Sequence, residues 1–173
     1  LDESQVIGID MGVANFCSDS NGNFIENPRH FKKYEDQLRI ENRSLARKKR
    51  GSNRWKKQAK KLSLLHHKIS NIRKDFLHKE STKMAKNFHT IYLEDLNISN
   101  MSKRPKPKQD ENGKFILNGS SAKSGLNKSI LDAGWGMFRD MLEYKTNVVR
   151  VDPKYTSQKC NECGEKDSKN RLS

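Results

Sequence analysis

Two hydrophobic periods follow one another along the chain, and the change between them divides it. Residues 4–11, SQVIGIDM, form a short apolar run rich in β-branched side chains, which predicts a buried strand. VANFCSDS follows Gly12, and the Asn-Gly pair in SNGNF marks a tight hairpin turn into a further strand near residues 23–27. A meander is the simplest assembly of these three. From about Glu35 the period becomes helical. Leu62, Leu65, Ile69, Ile72 and Phe76 step by three and four residues, a seam along one helix face. Tyr34, Leu38 and Leu45 mark a weaker stripe on an earlier helix. Gly51, Ser52 and Asn53 separate the two, with Ser52 or Asn53 placed to cap the second. An antiparallel helical hairpin is expected, its seam serving packing.

The strand period returns in HTIYLEDLNI at 89–98, with Ile91, Leu93 and Leu96 as its apolar body. Residues 99–125 are rich in Ser, Asn, Lys, Pro and Gly, include KRPKPK, and read as a long flexible loop. One helix is expected from about Asn127 to Tyr144, anchored by Ile130, Phe138, Met141 and Leu142 and weakened by Gly134 and Gly136 around Trp135. VVRVD at 148–152 is a strand ended by Pro153. The order is three strands, a helical hairpin, a strand, a loop, a helix and a strand: an α/β domain whose sheet receives an insertion.

Composition narrows the class. Leu, Ile, Val and Phe make up only 36 of 173 residues, a thin core close to the roughly 20% that separates folded from disordered chains. The longest apolar run falls far short of the ~20 residues of a membrane span, so no membrane role is expected. Three cysteines make no paired framework, which suits a reducing cytoplasm or nucleoid. The chain begins with Leu1 and reads as an excerpt of something longer.

Charge changes the picture more. The net charge is +14, and residues 32–61 alone hold thirteen Lys and Arg against Glu35, Asp36 and Glu41. Arg47, Lys48, Lys49, Arg50, Arg54, Lys56, Lys57, Lys60 and Lys61 follow one another with no acid among them. Such clustering favours a polyanion, because each cation near a phosphate releases condensed counterions. A solvated helix face is the plainer alternative.

Two acids are candidates for metal chemistry. Asp10 closes the first strand before Met11-Gly12, and Glu94 lies in the strand after the hairpin. Carboxylates from adjacent strands can share Mg²⁺, which takes oxygen ligands, and paired metals stabilise the attacking and leaving oxygens of a phosphodiester. Alternation puts Asp95 on the face of Leu93 and Glu94 on the other, so Glu94 is favoured as the ligand. Cys160-Asn-Glu-Cys163-Gly164 suits two thiolates of a tetrahedral zinc ribbon more than a redox pair, since no apolar helix follows. Cys17 reads as a small buried hydrophobe. His30, His66, His67, His78 and His89 show no ligand spacing, and those on the hairpin are expected at its surface or facing phosphates.

VIGIDMGVANF, SLARKKRGSNRWKK, KISNIRKDFLHKEST, IYLEDLNI, LNKSILDAGWGMFRDMLEYK and VDPKYTSQKCNECG occur in that order. The ordered set resembles the transposon-encoded TnpB (OrfB) family, relatives of compact type V CRISPR effector nucleases, over nearly the whole chain. The resemblance implies an RNase H-like (RuvC) mixed sheet, with Asp10 and Glu94 as catalytic acids binding Mg²⁺ or Mn²⁺. It implies a hairpin that contacts a guide RNA–target DNA heteroduplex, and Cys160 and Cys163 as the start of a zinc ribbon. The implied parts are RuvC-like strands at 1–34, the basic hairpin at 35–88, the rest of the RuvC-like domain at 89–152, and an incomplete ribbon at 153–173. The family's third catalytic Asp follows a second CxxC, and this chain ends before both, so the chain alone is expected to cleave poorly or not at all. A non-catalytic nucleic-acid-binding module is the second reading. A sugar-kinase-type ATPase would need a further Gly-rich phosphate loop, which IYLEDLNI and VVRVDPKY do not supply.

Overall fold

In a computed structural model, which describes residues 5–154, the strand-period segments form one mixed sheet. Its strands are β1 (Val6–Met11), β2 (Asn15–Asp19), β3 (Phe24–Glu26), β4 (Thr90–Glu94) and β7 (Asn147–Val151), in the order β3-β2-β1-β4-β7. β2 is antiparallel to β1 and β3, whereas β4 is parallel to both β1 and β7. Side chains alternate across the sheet. Ile7, Ile9 and Met11 of β1, with Ile91 and Leu93 of β4, are buried in the main core. That core is completed by Phe16, Leu77, Met84, Trp135, Phe138 and Leu142. Phe16 meets Phe76 and Phe138 edge to face, at centroid distances of 5.2 and 4.9 Å.

The helical hairpin pairs α1 (His30–Ala46) with α2 (Asn53–Asn87), a helix of 35 residues. Ser52 caps α2, its hydroxyl accepting the Trp55 amide at 3.1 Å. The expected seam serves two cores in turn. Leu65 and Ile69 pack with Leu38 in a small hairpin core, joined by Phe31, Tyr34 and Leu62. Farther along α2 the buried positions become Leu77, Ser81 and Met84, which face the main core. A strict heptad seam precesses around a 3.6-residue helix, so one long helix can turn one stripe to α1 and the next to the sheet.

The structure corrects several sequence expectations. Segment 99–125 carries elements: α3 (Ile98–Met101), a hairpin of β5 (Lys108–Gln109) and β6 (Phe115–Ile116), and the start of α4 (Ser120–Ala133). The single helix expected from 127 to 144 is two, α4 and α5 (Trp135–Glu143), broken at Gly134 with φ +75°. A Cβ there would also stand 3.1 Å from Arg73 Cδ and 3.3 Å from Leu77 Cδ1, so glycine permits both the break and the close approach to α2. Leu96 lies past the end of β4. Helix α1 begins at His30, ahead of Glu35, because Asp132 of α4 reaches across to its first turn: both carboxylate oxygens accept the Phe31 amide at 2.9 Å.

Candidate active site and basic hairpin

The register of the sheet decides which acids meet. Parallel β1 and β4 pair Val6 with Thr90, Ile7 with Ile91, Gly8 with Tyr92 and Ile9 with Leu93. One residue further along both strands come Asp10 and Glu94, on the face opposite Ile9 and Leu93. Asp10 is exposed and Glu94 half-buried. Both line one open cleft of about 480 Å³ with Gly8, Ser18, Ser20, Tyr92 and Val151. Ser18 of β2 stands opposite Asp10, and Val151 of β7 opposite Glu94, so the two acids sit mid-row in a rung spanning four strands. In the neighbouring rung Gly8, whose amide donates to Ser20 Oγ at 3.3 Å, leaves space beside Asp10, while its partner Tyr92 forms a wall of the cleft. Both acids are at the carboxyl ends of parallel strands, where open α/β sheets place their ligands.

Asp95 has other partners. Its carboxylate lies 3.6 Å from Arg139 and 3.7 Å from Arg150, which also binds Glu143. Asp19 borders the cleft but is committed to the β2–β3 turn, where Oδ1 accepts the Asn21 and Asn23 amides at 3.0 and 2.9 Å. Among the described residues, no group of three or more His, Cys, Asp or Glu side chains comes together to hold a metal ion. The donor chemistry of Asp10 and Glu94, two carboxylates on adjacent strands at an open cleft, suits a hard divalent cation that keeps water or substrate oxygens in its shell.

The nine cations of 47–61 lie on the loop between α1 and α2 and on the first turns of α2. Arg47, Lys49, Arg50, Arg54, Lys56, Lys57 and Lys60 are exposed. Two of the nine have internal partners, and one of these, Lys61, is neutralised by an acid, which corrects the expectation of a wholly unneutralised cluster. Lys48 Nζ binds Ser44 Oγ at 2.7 Å, and Lys61 Nζ pairs with the buried Glu41 at 2.7 Å. The Lys61 bond, with a second from Gln58, holds the Glu41 carboxyl below the usual carboxylate range.

Cys160 and Cys163 lie outside the described residues. Cys17 is buried in β2, and burial pushes its thiol up to about 12, with Glu80, Asp19 and Asp10 adding to the effect. His66, His67 and His78 on the hairpin are exposed, as is His89, whereas His30 is buried against Phe76 at a ring distance of 5.6 Å. Burial holds its imidazole below the ordinary value; Asp132 opposes that shift, and Lys33 and Arg73 add to it.

Sequence reasoning missed the node that joins hairpin to core. Besides capping α1, Asp132 accepts Arg73 Nη2 at 2.8 Å, and its carbonyl accepts Arg73 Nε at 2.8 Å. The contact spans 101 residues from Phe31 and 59 from Arg73, so no local pattern announces it. A second omission was legible. The turn Asp110-Glu111-Asn112-Gly113-Lys114 repeats the main-chain bonding of Asp19-Ser20-Asn21-Gly22-Asn23, its Asp accepting the amides two and four residues on.

Comparison with known proteins follows this geometry. The OrfB_IS605 family, described as "Probable transposase", matches residues 2–105, and the family described as "Cas12f1-like, TNB domain" matches residues 135–172. A protein of Escherichia coli (strain K12) named as an RNA-guided DNA endonuclease, InsQ, is 42% identical over 98% of this chain and 42% of its own length. One from Streptomyces pristinaespiralis, also named as an RNA-guided DNA endonuclease, is 34% identical over 91% of this chain and 36% of its own. The chain thus spans about two fifths of these curated relatives. The Cas12f1 chain of a cryo-EM complex with sgRNA and target DNA shares its fold, with a TM-score of 0.51 and 17% identity over 94% of this chain and 32% of that one. Since the first family match takes in more than half of the sequence, the chain belongs to the OrfB_IS605 transposase family, the TnpB (OrfB) family that its ordered motifs resemble.

Proposed function

We propose that this chain is the RuvC-like, RNase H-like nuclease core of a transposon-encoded, RNA-guided DNA endonuclease. The reading rests on one observation: Asp10 and Glu94 end neighbouring parallel strands on the face that the main core leaves open. Asp10 and Glu94 would hold Mg²⁺ or Mn²⁺ through carboxylate oxygens, and the residues present fit such an ion. When bound, the metal supplies charge stabilisation at the attacking and leaving oxygens of a phosphodiester. Asp10 comes from a strand fixed on both sides, by β2 and β4, so its backbone is held before any ligand arrives. The Ser18 hydroxyl, opposite it, is a donor that can orient the carboxylate. The exposed cations from Arg47 to Lys60 grip a guide RNA–target DNA duplex by its backbone, leaving sequence to base pairing. Cys160 and Cys163 enter this reading as two thiolates of a zinc ribbon.

The test is cleavage of a guide-matched duplex by the guide-loaded full-length protein in Mg²⁺, alongside Asp10→Ala and Glu94→Ala. Losing a metal ligand removes several kcal/mol of transition-state stabilisation, about 10²- to 10³-fold in rate. Both variants should lose that much while duplex affinity stays within about twofold. Cleavage retained in either variant refutes the assignment, and binding without cleavage in the wild type favours a binding module.

A further inference from the structure

The β5–β6 hairpin carries an exposed apolar trio that the fold does not use. Phe115 is 70% exposed, Ile116 49% and Leu117 100%, in a protein whose core is thin. Three adjacent apolar side chains left in water are costly unless a partner covers them. Five cations precede them in the sequence within fifteen residues, Lys103, Arg104, Lys106, Lys108 and Lys114, against Asp110 and Glu111. One of those two acids is spent inside the arm. Asp110 Oδ1 closes the turn by accepting the Asn112 and Lys114 amides at 3.0 and 2.8 Å.

The arm is built and rooted. Gly113, with φ +75°, supplies the left-handed residue of the turn. At its base Asn118 Nδ2 donates to the Lys106 carbonyl at 3.0 Å, and Asn127 Nδ2 of α4 donates to the Ser102 carbonyl at 2.7 Å. In the ladder Lys108 is opposite Ile116 and Gln109 opposite Phe115, so one face offers a cation beside an aliphatic side chain and the other an amide beside an aromatic ring. A preorganised aromatic costs little entropy to engage, and an exposed aromatic on a cation-bearing arm is chemistry that holds unpaired nucleotides, the long lysine side chains of the opposite face reaching phosphates around the edges of a ribbon only two strands wide. Bases stack on the ring, and the cations track the phosphates.

We propose that this hairpin is a stacking arm for an unpaired nucleic-acid strand, with Phe115 as its platform and Lys106, Lys108 and Lys114 as its phosphate contacts. The proposal extends the nucleic-acid reading above and depends on it. A duplex hides its base faces and would leave Phe115 unused, so the arm distinguishes single strands from duplexes.

The experiment measures fluorescence anisotropy of labelled 20-nucleotide strands, oligo-dT and oligo-U, and of a 20-base-pair duplex. The proteins are the 173-residue chain, Phe115→Ala, Phe115→Tyr, and Lys56→Ala/Lys60→Ala on the α1–α2 hairpin. Phe115→Ala should weaken single-strand binding about tenfold and duplex binding by less than twofold, and Phe115→Tyr should restore it. The two strands report whether DNA or RNA is preferred. The double lysine variant should lower duplex binding. Single-strand affinity unchanged in Phe115→Ala overturns the arm alone. No binding of any probe by the wild type overturns the nucleic-acid reading and the arm with it. A concentration-dependent dimer in sedimentation that Phe115→Ala abolishes, with strand affinity unaltered, identifies the trio as a self-association patch and refutes the proposal.

Discussion

Asp132→Ala probes the joint between the basic hairpin and the sheet. The Asp132 side chain is 8% exposed, and that of Arg73 17%. Truncation leaves the Phe31 amide without its cap, worth about 1 kcal/mol by N-cap substitutions. It also leaves a largely buried guanidinium without its counter-charge, and breaking such a pair from one side costs about 3–5 kcal/mol. The terms overlap, and Arg73 retains its bond to the Asp132 carbonyl, so the expected loss is about 3–4 kcal/mol. A protein of this length loses about 2–4 °C of melting temperature per kcal/mol, hence about 6–16 °C in all. Urea denaturation followed by circular dichroism measures the loss, and amide exchange locates it: Phe31 should lose protection before residues around Leu65. Adding Arg73→Met removes the orphaned charge, so the double variant should be more stable than Asp132→Ala by at least about 1.5 kcal/mol. If the two substitutions add to within about 0.5 kcal/mol, the residues are not coupled and the joint lies elsewhere.

Three further outcomes follow from side chains already described. His30 is buried below its ordinary pKa, so the unfolded chain binds its proton first; its stabilising contribution is complete above the unfolded value of about 6.5 and declines as pH falls below it. Urea midpoints at pH 7.5 and 5.5 should therefore differ less in His30→Phe than in the wild type, and an equal difference would clear His30 of the effect. Cys17, with its thiol near 12, should resist iodoacetamide at pH 8 in the native protein and react fully in guanidinium; peptide mapping that finds it labelled in the native state would refute its burial. Alanine at Lys49, Arg50, Lys56 or Lys60 should each lower the slope of log K against log salt for duplex binding by about 1, whereas Lys61→Ala should also destabilise the fold by stripping Glu41 of its cation. Unchanged slopes between 50 and 200 mM salt would exclude those side chains from phosphate contact.

What could be read in advance was whatever a single period or turn encodes. The apolar run VIGIDM marked a buried strand closed by Asp10, and alternation in YLED put Leu93 on one face and Glu94 on the other, as the sheet has them. That β1 and β4 are neighbours in matching register is a property of the sheet, which alternation cannot supply. Gly134 and Gly136 were visible, but whether a glycine weakens a helix or ends it depends on what crowds it, here Arg73 and Leu77 of α2. The β5–β6 hairpin was lost for a different reason. Its Asn-Gly turn is as plain as the one at residues 21–22, yet the surrounding KRPKPK composition argues for a loop, and a four-residue ladder shows no period. Asp132 offered no sequence cue because both its partners are distant.

The hairpin is more than an appendage, because its longer helix is also a main-core helix. At 1.5 Å per residue the 35 residues of α2 run about 52 Å, and no loop intervenes between the end that packs on α1 and the end that packs on the sheet. Contacts from other elements brace the helix along its length. Arg73 meets Asp132 near the middle, Phe76 meets Phe16 of β2 and His30 of α1, and Lys145, just before β7, reaches Ser81 at 2.7 Å and Thr82 at 2.9 Å. A polyanion gripped at Lys56 and Lys60, as proposed above, would therefore be held by a lever whose far end is part of the wall behind β1 and β4. On the function proposed above, a flexible link would let the hairpin's affinity for a duplex do little to fix a phosphodiester against the Asp10–Glu94 cleft; a continuous, braced helix would turn that affinity into position.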